Sequence, residues 1–393
     1  MTAIINTKLI LETGIIWNGV LLFENGKIMA LGEAEDVQIL DGVEIVDAQG
    51  LYTAPGLINT HVHGCQGKHL WEYPSECAEF LLEHGETTVL ATIGTSFTKE
   101  QMLEGGCRIR EAKKSGAGRI FYGIHMEGPY MSGVTGNQTM AKWPAERGVR
   151  SEDYVPLVQG NKDLLRMWAV DPNREGLEEF LVYAKSEIPN LIFAYGHSRA
   201  TFDKCKKFKN FGFKVRTHIG DAGQAPGRAQ GVPGAGGDQF AIYDPDMYAE
   251  MIVDQNGIHV TPDLVKYFIK TNGVERTILI SDSVGYEICY PNNLEAGIHY
   301  GPDLNYDIRG YLCGSRLTLN SAVRNVMHHS SYGLCHAIRM ATLNPAQMLG
   351  IDDQVGSLEV GKKANLMLID DMVNVKRVFF EGEPVVVDGK YCG

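Results

Sequence analysis

The residues of this chain best suited to chemistry are histidines and carboxylates that close short apolar runs. GLINTHVHG (56–64) closes on His61-Val62-His63, and IFYGIHMEG (120–128) on His125-Met126-Glu127. LIFAYGHS (191–198) closes on His197-Ser198, KVRTHIG (214–220) contains Thr217-His218, TILISDS (277–283) closes on Asp282-Ser283, and His259 follows the run EMIVD (250–254). Side chains alternate along a strand, so His61 and His63 share one face. Two neutral imidazoles converging there can hold one divalent metal. Glu127, His197 and His218, at the same level, complete that site or hold a second metal. Nitrogen and oxygen ligands suit Zn, and also Fe, Mn or Co. An isolated His-x-His also occurs on exposed strands, and a lone histidine at a strand end is commonly a hydrogen-bonded structural residue. What points to a metal centre is five potential ligands at four run ends, with an Asp at another. His125 shares its run with Glu127 and has two readings, a site role or a hydrogen bond to a neighbouring strand.

Something must bring these run ends together. Eight such runs occur between residues 56 and 283, the others being TTVLAT (87–92) and MWAVDP (167–172), with helical segments such as CAEFLLEHG, GLEEFLVYAKSE and PDLVKYFIK between them. Alternation of β and α predicts a parallel sheet covered by helices, and eight units predict a closed (β/α)8 TIM-like barrel. Chemistry in such a barrel sits at the C-terminal strand ends, where these residues fall. An open doubly wound sheet is the alternative, but no G-x-G-x-x-G follows the first strand. Both chain ends read as β structure, with Asn25-Gly26 as a hairpin signal. The expected architecture is therefore α/β: a barrel over 55–354 and a small β-sandwich domain formed by 1–54 plus 355–393.

Composition sets limits. With 36 Lys+Arg against 48 Asp+Glu, the 393-residue chain carries a net charge of −12, which argues against a broad nucleic-acid footprint. It is also longer than one core usually supports. No run of about 18 apolar residues predicts a membrane span, and no signal peptide is expected. The eight cysteines are scattered and read as reduced thiols, so a cytoplasmic location is expected.

These segments together resemble the amidohydrolase superfamily, and within it the N-acetylglucosamine-6-phosphate deacetylases. The resemblance spans nearly the whole chain and rests on APGLINTHVHG (54–64), GIHMEGPYMS (123–132), GHSRAT (196–201), RTHIGDAG (216–223), NGIHV (256–260), ISDS (280–283), GSRLTLNSAVRN (314–325) and the NPAQMLGI…GSLEVGKKANLMLID region (344–370). The resemblance implies Glu127, His197 and His218 as metal ligands and His61 with His63 as a pair that adds a second metal in some members. It implies Asp282 as catalytic acid/base, His259 as a substrate contact near the scissile amide, and Arg228 as a phosphate-binding arginine that can reach into the neighbouring subunit of a homodimer. The chemistry asks for the same types: a divalent metal, one or two per chain, to activate water and carbonyl, and a carboxylate to shuttle the proton. Asp282 also reads as a helix N-cap, and His259 as a plain structural histidine.

Two loops depart from the family pattern. Ile219-Gly220-Asp221-Ala222-Gly223 replaces a segment whose Asn and Met line the sugar or phosphate pocket, and it places an acidic Asp221 there. The loop 132–138 lacks the usual substrate-contacting His, leaving Asn137 and Gln138 as candidate hydrogen-bonding groups. The expectation is a metal-dependent deacetylase of an N-acetylated amino-sugar phosphate, with N-acetylglucosamine 6-phosphate first. The alternatives are an amidohydrolase of another small N-acyl compound (an N-acyl amino acid, a non-phosphorylated amino sugar or a cyclic amide) and a non-catalytic binding barrel. No nucleic-acid or membrane partner is expected. Segment 286–313 reads as a lid or an outer hairpin. Cys65 reads as a packed small residue, and His84, His299, His328, His329 and His336 as non-ligands.

Overall fold

The structure, a computed structural model, describes residues 1–131, 143, 147–223, 234–285, 301–307 and 310–393. Eight parallel strands form a sheet in strict chain order: β1 (Leu57–Val62), β2 (Glu86–Gly94), β3 (Phe121–Glu127), β4 (Leu165–Val170), β5 (Ile192–Tyr195), β6 (Phe213–Arg216), β7 (Tyr248–Ile252) and β8 (Thr277–Ile280). All eight expected runs are strands. They are apolar on both faces because helices cover the outside and side chains fill the inside; every residue of β2 is buried. The ring closes where β8 meets β1: the Asp282 N–H donates to the His61 carbonyl at 2.9 Å, and Val62 bridges Ser283 in parallel. The His63 N–H donates to the Ser283 carbonyl at 2.7 Å, so the seam runs through three residues of the candidate site, His61, His63 and Asp282.

The helices follow from local signals. Pro262–Asn272 starts on a proline, whose missing N–H is no loss in a first turn, and turns Val265, Phe268 and Ile269 inward. Trimming Ile269 to alanine would cost about 2–5 kcal/mol in lost burial and cavity. Lys99–Ala112 starts on a reciprocal cap between Thr98 and Gln101.

Nine strands from both chain ends make the second unit. The ends join where Leu366–Ile369 pairs antiparallel with Tyr52–Pro55. Asn25 and Gly26, at φ 49° and 75°, form the expected tight turn between Ile15–Glu24 and Lys27–Glu33. Phe23 and Phe379 lie on strands four places apart in this sheet, about 19 Å if it were flat. Their ring centroids are nevertheless 5.3 Å apart, so the sheet curls over its own core as a sandwich does. Leu9, Leu21, Ile28, Leu366 and Leu368 fill that core. Among the described residues no helix is long and apolar enough to cross a membrane.

Candidate metal centre

The candidate ligands and Asp282 sit at or just past the ends of their strands. His61 ends the inward face of β1, and Glu127 is the last residue of β3. His197 and His218 lie two residues past β5 and β6, and Asp282 two past β8. These three adopt left-handed backbone, with φ 45°, 36° and 47°. Non-glycine residues avoid that region because Cβ crowds the backbone, at a cost of about 1–3 kcal/mol each. Three such positions around one centre mark backbone held by its surroundings so that the side chains meet.

They meet on Glu127. His197 Nε2 and His218 Nε2 each lie 3.2 Å from its Oε1, with His61 Nε2 at 3.5 Å. His63 Nε2 lies 3.1 Å from its Oε2. His61 Nε2 and His63 Nε2 are 3.3 Å apart, and Asp282 Oδ1 is 3.4 and 3.3 Å from them. Two donor groups result, His61–His63–Glu127 and Glu127–His197–His218, each with its ligand atoms within 4.8 Å of one another. All five residues are buried except the half-buried His63 and His197. The set is neutral imidazole plus carboxylate, with Glu127 common to both groups, and this fits one or two divalent cations.

Charge balance supports that fit. Burial disfavours a charge on His61, His63 and His218, yet the Asp282 and Glu127 carboxylates outweigh it and raise all three pKa values above the ordinary histidine range. Burial likewise pushes Glu127 and Asp282 up, but the surrounding imidazoles hold both below the usual carboxylate range. The pocket demands positive charge, from protons or from a cation.

His259 stands in the loop after β7 and is gripped by Asp254. Asp254 Oδ2 accepts the His259 backbone N–H at 2.8 Å and lies 3.1 Å from its Nδ1. Burial opposes charge on this ring, but Asp254, Asp221 and Asp282 lift its pKa to about 9, while Asp254 itself falls to about 2. His259 Nε2 faces the Gly314 carbonyl at 3.2 Å. Gly314, at φ 57°, has no room for a side chain: a Cβ would sit 2.4 Å from Val284 and 2.8 Å from the Asp282 carbonyl oxygen. Gly94, ending β2, leaves the space that the His63 ring fills, since a Cβ there would lie 3.2 Å from His63 Cε1.

His125 takes the second of its two readings in part. Its Nδ1 donates to the Thr60 carbonyl at 3.0 Å, and its ring packs edge-on against His61. Burial and the neighbouring His61 hold its pKa far below the ordinary value, so the ring is neutral. Asp221 lies at the rim; its carbonyl accepts from Arg216 and its Oδ1 from the Ala222 N–H. Arg228, Asn137 and Gln138 lie outside the described residues, as do His299 and most of the 286–313 segment, of which Leu304–Tyr306 and Leu312–Ser315 form a short antiparallel pair. Cys65 is buried and packs against Cys77. His329 stands apart from the metal-ligand groups but donates to the Asp254 carbonyl at 2.9 Å, buttressing the loop that holds His259. Residue types and spacing did not single out Asp254, Glu250, Gly94 or Gly314. Asp254 and Glu250 carried a usable signal, being the two carboxylates of the EMIVD run.

Comparison with known proteins adds four likenesses. The Amidohydrolase family pattern matches residues 251–390. The N-acetylglucosamine-6-phosphate deacetylase of Haemophilus influenzae is 27% identical over 365 residues, 87% of this chain and 88% of that one. A provisionally named N-acetylgalactosamine-6-phosphate deacetylase of Escherichia coli (strain K12) is 32% identical over 164 residues, 40% of this chain and 90% of that protein. Among solved structures, the N-acetylglucosamine-6-phosphate deacetylase of Pasteurella multocida shares the fold, with a TM-score of 0.82 at 24% identity over 98% of this chain and 99% of that one.

Proposed function

The chain belongs to the amidohydrolase superfamily, in the N-acetylglucosamine-6-phosphate deacetylase family, and is a metal-dependent hydrolase; on that premise we propose that it cleaves the N-acetyl amide of an amino-sugar phosphate, converting N-acetylglucosamine 6-phosphate to glucosamine 6-phosphate and acetate. The observation that carries this reading is the convergence of four imidazole Nε2 atoms on Glu127, with Asp282 Oδ1 beside two of them.

His61, His63, Glu127, His197 and His218 would hold one or two divalent cations, with Zn the first choice and Fe, Mn or Co the others. A cation there would polarise the acetyl carbonyl and acidify the attacking water. Asp282 takes the proton from that water and delivers it to the departing amine. Its carboxylate suits the first task because positive charge on the neighbouring imidazoles holds it below the usual carboxylate range in the metal-free chain, and a bound cation would supply that charge in their place. The seam also fixes its backbone, through its N–H on His61 and its carbonyl on the Ser315 N–H at 2.8 Å. His259, charged through Asp254, would turn its Nε2–H from the Gly314 carbonyl, which it faces in the structure, to the substrate carbonyl oxygen as negative charge develops there. In this reading Arg228 recognises the phosphate, and Asn137, Gln138 and Asp221 border the sugar.

The same proposal assigns residues 55–354 to the catalytic barrel and 1–54 with 355–393 to the small β domain, in a cytoplasmic homodimer. The test is acetate release from N-acetylglucosamine 6-phosphate by Zn-, Fe-, Mn- and Co-loaded protein. N-acetylgalactosamine 6-phosphate and the unphosphorylated sugars serve as comparison, because the relatives' names divide between the two epimers. Turnover of unphosphorylated N-acyl compounds alone would favour the second reading, to which the altered loops at 132–138 and 219–223 point. In that case Arg228→Ala would leave turnover unchanged.

A further inference from the structure

Beneath the metal centre lies a carboxylate that the reaction does not use. Glu250, on β7, is fully buried. Its Oε1 accepts the Thr60 hydroxyl at 2.6 Å. Its Oε2 makes no hydrogen bond, and the polar atom 3.8 Å away, His61 Nδ1, is also buried without a hydrogen-bond partner. A register shift between Asn59 and Val62 breaks the regular pleat of β1, and both Thr60 and His61 reach this one side chain.

The chemistry of an imidazole ligand links these atoms. A ring that offers Nε2 to a cation carries its proton on Nδ1. Buried, that N–H must find an acceptor or lose hydrogen-bond energy outright. Glu250 Oε2 is the acceptor within reach, and a buried carboxylate oxygen equally needs a donor. His125 packs edge-on against His61 at 4.6 Å between centroids and spends its own Nδ1–H on the Thr60 carbonyl; its Nε2 is left as a bare acceptor, buried and making no hydrogen bond to His61.

We infer that Glu250 is a positioning residue for His61: tethered by Thr60, it accepts the Nδ1–H, fixes the tautomer and aims Nε2 at the cation site shared with His63. This rests on the metal reading above and deepens it, because it makes the His61–His63–Glu127 site depend on Glu250 while the Glu127–His197–His218 site does not. Carboxylate–histidine–metal relays of this kind typically change metal affinity 10- to 100-fold when broken.

The experiment is a zinc titration of metal-free wild type, Glu250→Gln and Glu250→Asp against a chromophoric chelator, with elemental analysis after dialysis. Wild type should take up two equivalents. Glu250→Gln should keep one at wild-type affinity and bind the other 10- to 100-fold more weakly, with Glu250→Asp in between. Glu250→Gln matching wild type in number and affinity overturns the inference and leaves the metal reading standing. Wild type that takes up no zinc refutes the metal reading, and the inference with it. If Glu250→Gln does not fold, Thr60→Val decides: it keeps the carboxylate but cuts its tether. It should weaken the same equivalent several-fold, and an unchanged affinity overturns the inference.

Discussion

Asp254 holds His259 by ring and backbone at once, with one carboxylate oxygen 2.8 Å from the His259 backbone nitrogen and 3.1 Å from its Nδ1. That double grip sets both the direction of the imidazole and its charge. With the folded pKa raised to about 9 against an ordinary 6.5, the pair contributes stability that is fully present below pH 6.5 and is lost as pH rises through 9.

Asp254→Asn should therefore move the alkaline limb of the kcat/KM profile down from about pH 9 toward the ordinary histidine range. At pH 8 the variant should lose about 10- to 100-fold while losing much less at pH 6, an effect in the range of one general acid or donor. A uniform loss at both pH values would contradict the role given to the His259 charge.

Metal uptake should release protons. In the metal-free chain His61, His63 and His218 are held above the ordinary histidine pKa, so a cation must displace their protons. Calorimetric zinc titrations at pH 7 in buffers of different ionisation enthalpy should report proton release, and affinity should fall as pH falls. Heats independent of the buffer would count against these imidazoles as ligands.

Asp282→Asn should lower kcat by about 100- to 10,000-fold, the usual worth of a positioned acid/base, while KM stays within a few-fold. Steady-state kinetics on the metal-loaded variant checks this. A loss below tenfold would leave Asp282 as a structural residue of the β8–β1 seam.

Glu86, buried at the start of β2, is pushed up to about 7 by burial, against which the Asn59 amide and the Leu319 N–H pull only partly. A carboxylate raised in the fold stabilises most below its unfolded pKa, near 4.5, and that stability is lost as pH rises through 7. Glu86→Gln should remove this slope, changing the pH dependence of unfolding by up to about 3 kcal/mol between pH 4.5 and 8. Denaturant curves of equal slope against pH for both proteins would refute it.

The eight strands and the grouping of the candidate ligands were legible in the sequence because both depend on local pattern. An apolar run such as TTVLAT announces a strand buried on both faces, and His61-Val62-His63 puts two imidazoles two residues apart at the end of another. The supporting residues were not legible, because their roles arise across space. Glu250 meets Thr60 from 190 positions away, and Gly94 matters only because the His63 ring lies over it. Asp254 stood in plain view at the end of a strand, yet nothing local ties it to a histidine five residues on; the turn between them does. The left-handed backbone at His197, His218 and Asp282 was equally hidden, since none of these residue types demands it.

The central claim is tested most directly by acetate release from N-acetylglucosamine 6-phosphate, measured with the zinc-loaded chain beside its chelated form and beside unphosphorylated N-acetylglucosamine. The account predicts turnover of the phosphorylated sugar that vanishes on chelation, returns with metal and exceeds that of the unphosphorylated sugar by at least tenfold in kcat/KM. Metal-loaded protein that releases no acetate from the phosphorylated sugar, or that prefers the unphosphorylated one, would contradict it.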